Sequence, residues 1–199
     1  MFTLSKKNNC ILWLPPKAAT TLLSWILFHF DFHNYFLDTE TNELVQEEKF
    51  LIHLGHNMQL PPNHLSMDLL CPVRNPYDKV ISFTKMHVQN KEDFSREFFE
   101  KNLENLLLNP KSLLFQSSKI FDQRIPNFII RAEKIYEDLI EVPFIRNSKL
   151  NSCGILEDMC TNKLNETFKI DRENILTTDT REIIYQTFKK EFELFGYSK

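Results

Sequence analysis

Glycine is almost missing from this chain, with three residues in 199. A nucleotide-triphosphate loop of the form G-x-x-x-x-G-K-[ST] needs two of them just ahead of a lysine, and no segment supplies that. Cysteine is scarce too: four residues, none in C-x-x-C spacing, and no His/Cys/Asp/Glu grouping has metal-ligand spacing. A surplus of positive charge is also lacking. The 24 Lys and Arg stand against 27 Asp and Glu, a net charge of −3, which gives no support to nucleic-acid binding. No apolar run approaches the length that spans a bilayer. Only M-F-T-L-S-K-K-N-N precedes the first expected strand, too little for a secretory leader. These absences lead us to expect a cytoplasmic protein with neither membrane nor nucleic-acid partners. In a reducing compartment thiols stay free, so Cys10 and Cys71, inside apolar runs, are expected as buried thiols. A Cys153–Cys160 disulfide is the lesser alternative.

What is present is a large apolar and aromatic content, 42% and 13% with 18 Phe. That suffices for a packed core and a single domain over 1–199. The coarse order is strand 10–14, helix 20–30, strands 50–54 and 69–73, and helix 77–89. Helices near 93–108 and 111–122, strand 127–131, helix 133–140 and a long helix 179–195 follow. Strands alternating with helices predict an α/β fold, a central parallel sheet flanked by helices. The strands are continuous apolar runs, as strands buried on both faces should be. In the last helix, Asp179 is the expected cap, with Glu182 completing a D-x-x-E box. Ile184, Phe188, Phe192 and Phe195 make its apolar stripe and Gly196 stops it. Segments 31–49 and 145–178 are polar and are expected as irregular surface excursions.

Two segments carry chemistry. In C-I-L-W-L-P-P-K-A-A-T-T-L-L an apolar run is followed by Lys17, Ala18, Ala19, Thr20, Thr21 and an apolar helix. In L-L-C-P-V-R-N-P-Y-D-K-V-I-S-F the run ends at Val73, then come Arg74, the turn dipeptide Asn75-Pro76, and Ser82 eight residues past Arg74. Each places a cation and hydroxyls where a helix begins, and backbone N–H groups and the helix dipole there favour an anion. Two such loops on one sheet suggest a ligand with two separated phosphates.

The pair resembles the two cofactor loops of sulfotransferases that use 3′-phosphoadenosine-5′-phosphosulfate. F-I-I-R-A-E-K-I-Y-E-D-L (128–139) and F-K-K-E-F-E-L-F-G-Y (188–197) are similar to later segments of that family. The resemblance implies a P-loop NTPase-like sulfotransferase fold, with the first loop on the 5′-phosphosulfate and Arg74 and Ser82 on the 3′-phosphate. Lys79 stands where the family usually has Arg, and Asp78 and Lys79 are expected to pair with each other. Ala19 stands where many members have Gly. Heparan sulfate 2-O-sulfotransferases also use Ala there, and such a residue disfavours a positive φ. Lys17 would stabilise the leaving phosphate, with the amides of 18–21 and the Thr20 and Thr21 hydroxyls adding donors. Arg74 offers a planar fork that Lys could not reproduce.

A general base should titrate near the working pH. His56, just after Gly55 and an expected strand, is the best placed, and H-L-G-H resembles the Gly-His of the 2-O-sulfotransferases. His53 comes next, and Glu47 or Glu48 could serve instead. Arg131 and Glu133 are expected as a surface ion pair at a strand end, and Lys163 and Asn165 as part of a lid. The segments most resemble those of carbohydrate sulfotransferases, so the resemblance implies sulfuryl transfer to an acceptor hydroxyl on a carbohydrate, the acceptor being a small molecule or a glycan. It implies no metal and yields 3′,5′-adenosine bisphosphate as product. The alternatives are an ATP-dependent P-loop-like kinase, which lacks the lysine spacing, and a non-catalytic module that binds adenosine bisphosphate.

Overall fold

In the computed structural model, which describes residues 2–38, 40, 41, 43–46, 60, 64–88, 91–109, 112, 114, 120–161 and 170–199, a six-stranded sheet organises the described residues. Its strands are β1 (Phe2–Ser5), β2 (Cys10–Leu12), β3 (His33–Leu37), β4 (Leu44–Gln46), β5 (Asp68–Val73) and β6 (Phe128–Arg131), in the order β4-β3-β1-β2-β5-β6. β2, β5 and β6 run parallel, as expected for strands joined through helices. The other half is antiparallel: β1 pairs with both β2 and β3, and β3 pairs with β4. The sheet is therefore mixed rather than wholly parallel, and 31–49 carries two strands instead of an irregular excursion.

Buried polar residues explain why the antiparallel half is hard to foresee. Thr3 and Asn34 face each other across β1 and β3, both buried, and the Thr3 hydroxyl donates to Asn34 Oδ1 at 3.0 Å. Ser5 is buried and its Oγ accepts from the Asn8 backbone at 3.1 Å and from Asn8 Nδ2 at 2.9 Å. Asn9 closes that turn at φ 49°, a conformation asparagine tolerates better than most residues.

The sheet has two apolar faces, set by the period of two along each strand. Cys10, Leu12, Leu70 and Ile130 pack on Leu23, Ile26 and Leu27 of α1 (Thr20–Phe28). Ile11, Trp13, Leu69, Cys71 and Val73 pack on Phe121 and Phe195. A further cluster joins α2 (Pro76–Thr84) and α3 (Arg96–Leu107) to Ile184, Phe188 and Phe192.

The chain after β6 departs from expectation in two ways. Segment 145–161 is not a surface excursion, since short helices run through it and Leu156 and Met159 are buried in the core beside α1. The terminal helix is also broken. Thr178–Thr187 and Lys189–Phe195 meet at Phe188 (φ −111°, ψ 22°). The cap is Thr177, whose hydroxyl accepts from Thr180 N–H, not Asp179. The apolar stripe is buried as expected, and Gly196 ends the second segment at φ 68°. All four cysteines are free. Among the described residues no helix is long and apolar enough to cross a membrane.

Candidate anion-binding site

β2 and β5 are hydrogen-bonded parallel neighbours, so the loops that leave their C-terminal ends emerge side by side, where open α/β sheets bind ligands. One loop brings Lys17 and the other brings Arg74. The Arg74 Nη1 donates to the Lys17 carbonyl oxygen at 3.4 Å, so the two segments singled out in the sequence meet in space.

The first loop is wound tightly. Lys17 (φ 63°) and Ala19 (φ 56°) are both left-handed, with Ala18 buried between them. This overturns the expectation that alanine keeps position 19 out of positive φ. Each such residue costs roughly 1–2 kcal/mol, a strain that clusters at binding sites. Ala19→Gly would relieve that cost against an entropic loss of about 0.5–1 kcal/mol. Urea unfolding is expected to show the variant more stable by about 0.5–1 kcal/mol, and a loss of stability would mean that position 19 is unstrained.

α1 starts from this loop without a cap. Ala19 offers no side-chain acceptor, and the first turn holds no acidic residue. In contrast, α2 is capped by Asn75, which accepts from Tyr77 N–H ahead of Pro76 at the first turn, and α3 is capped by Ser95. The half-buried Thr20 and Thr21 sit at this same uncapped end.

The electrostatics point the same way. Burial first, and then the Arg74 charge, push the Lys17 ammonium below the usual lysine value. Among the described residues neither Lys17 nor Arg74 meets a carboxylate, while Lys79 meets Glu191, Arg131 meets Asp138 and Arg172 meets Asp78. Two neighbouring cations, one of them desolvated, next to an uncapped helix start can hold an oxyanion.

The neighbouring residues are arranged differently from expectation. Asp78 and Lys79 do not pair with each other. Asp78 takes a two-point contact from Arg172, and Lys79 is buried with both Glu191 carboxylate oxygens on its Nζ. This pair lines a small cleft together with Pro15, Ala18, Val73 and Arg74. Arg131 and Glu133 do not pair either. Arg131 forks onto the buried Asp138 carboxylate. Glu133 accepts from Asn75 N–H at 2.9 Å and from the Tyr197 hydroxyl at 3.0 Å. Burial and that carboxylate push the Tyr197 phenol up. Glu133 thus fixes the residue that follows Arg74, a role no local sequence signal announces because its partners lie far off in the chain.

Ser82 is half-buried on α2, three residues past Lys79, and among the described residues its hydroxyl has no hydrogen-bond partner. His56, His53, Glu47, Glu48, Lys163 and Asn165 lie outside the described residues, as does strand 50–54. The described residues contain no group of three or more His, Cys, Asp or Glu that could hold a metal ion. No family model, no curated protein and no solved structure matches the chain.

Proposed function

We propose that the chain is a cytoplasmic sulfotransferase that moves a sulfuryl group from 3′-phosphoadenosine-5′-phosphosulfate to an acceptor hydroxyl, on a carbohydrate by its motif style. One observation carries the reading: Lys17 and Arg74, which meet no carboxylate among the described residues, come together at the uncapped start of α1. The chemistry of this donor set fits a phosphate ligand. The amides of 18–21 and the Thr20 and Thr21 hydroxyls would hold the 5′-phosphate. Lys17 would neutralise charge on the oxygen that bridged phosphorus and sulfur. Arg74 and Ser82 would reach the 3′-phosphate, and His56 would take the proton from the acceptor hydroxyl as its oxygen bonds to sulfur. Positioning and electrostatics would dominate catalysis, as in phosphoryl transfer.

Calorimetric titration without magnesium tests this reading, comparing 3′,5′-adenosine bisphosphate, 5′-AMP and ATP, with ATP repeated in the presence of magnesium. We expect the bisphosphate to bind at least tenfold more tightly than 5′-AMP, a difference of about 1.4 kcal/mol. Equal affinity for the two, or a preference for ATP that appears with magnesium, would remove the 3′-phosphate from the ligand and with it the sulfotransferase.

A further inference from the structure

We infer that Arg74 serves the same oxyanion as Lys17, bracing both loops around one phosphate, and is not confined to a second, distant phosphate. The inference rests on reading this place as a phosphate site. A residue devoted to a ligand group further along α2 would extend toward Ser82. Instead the Arg74 guanidinium reaches back to the first loop, its Nη1 on the Lys17 carbonyl at 3.4 Å. It shares a cleft with Ala18, the buried residue between the two left-handed positions.

The fork has five N–H donors. One is turned to the Lys17 carbonyl, and among the described residues no carboxylate occupies the others. Every other buried or half-buried guanidinium or ammonium described above has found its acid: Lys79 on Glu191, Arg131 on Asp138, Arg172 on Asp78. Lys17 and Arg74 stand close enough for the Arg74 charge to depress the Lys17 ammonium. Two like charges left facing each other are unfavourable, and a dianion between them removes the repulsion while filling the free donors. The same contact gives Arg74 a second duty, because it also tethers the strained turn at Lys17.

Inorganic pyrophosphate separates the two roles, since it has no ribose and so no 3′-phosphate. Calorimetry on the wild-type chain, Arg74→Ala and Arg74→Gln would compare pyrophosphate, 5′-AMP and 3′,5′-adenosine bisphosphate. Gln keeps an N–H donor but removes the charge and is the smaller change if Arg74→Ala fails to fold, and a thermal melt of each variant separates loss of folding from loss of binding. The expected result is a loss of tenfold or more for all three ligands in both variants. Weakening of the bisphosphate alone, with pyrophosphate and 5′-AMP unchanged, would overturn the inference, as would a wild-type chain that binds no pyrophosphate. The two readings fail separately. A wild-type chain that binds 5′-AMP as tightly as the bisphosphate would end the sulfotransferase proposal, while loss of pyrophosphate binding in Arg74→Gln would still establish the shared phosphate.

Discussion

Replacing Glu191 with alanine is expected to cost about 3–5 kcal/mol of folding stability, a large part of the roughly 5–15 kcal/mol available to a domain. The Lys79 and Glu191 side chains are only 3% and 5% exposed. Removing the carboxylate leaves an ammonium in a dry interior, 4.7 Å from the centre of the Phe188 ring. A desolvated cation over an aromatic face gains about 2 kcal/mol, too little to replace a buried counter-ion. The double variant Lys79→Met/Glu191→Leu should behave oppositely and stay within about 1 kcal/mol of the parent or exceed it, because no charge then needs desolvating. Urea unfolding of the three proteins checks this pair of outcomes. A cost below about 1 kcal/mol for Glu191→Ala would show that the Lys79 ammonium reaches water by rotating its stem.

The largest effect on turnover is expected from Lys17→Ala. If Lys17 neutralises the leaving oxygen, its loss removes an interaction strongest in the transition state and should lower kcat by about 10²–10³, or 2.7–4 kcal/mol. Folding should be spared, because the residue removed is a half-buried cation that meets no carboxylate among the described residues. Single-turnover release of 3′,5′-adenosine bisphosphate from labelled donor, together with a thermal melt, distinguishes the two effects. A drop of less than about fivefold in rate, with stability intact, would exclude Lys17 from the transition state.

The parallel half of the sheet was legible because its signals are local. Apolar runs end at a cation, and Asn75-Pro76 marks where α2 begins; the structure adds that the Asn75 side chain is the cap. Both loops fall at strand ends of one sheet, as the sequence suggests, and in the structure the two strands are neighbours. The antiparallel half was illegible because β1 and β3 bury Thr3, Ser5 and Asn34, whose hydrogen bonds take the place of the apolar alternation a strand usually shows. The break at Phe188 had no signal either. No proline or glycine marks it, and the residue that would have continued the helix is instead packed over Lys79. The charge partners failed for another reason. Asp78 and Lys79, or Arg131 and Glu133, are neighbours in sequence, yet each finds its partner where the fold delivers one, and for Lys79 that partner is 112 residues away.

Asp78 and Lys79 are consecutive, so on α2 they project about 100° apart, one pulled toward Arg172 and the other toward Glu191. Two tethers at such an angle remove the helix's freedom to roll about its own axis. Whatever α2 presents one turn later, Ser82 included, is held at a fixed azimuth relative to Arg74. For a ligand bound as proposed, this side of the cleft would be a rigid wall, and selectivity there would be a matter of fit, not of adjustment.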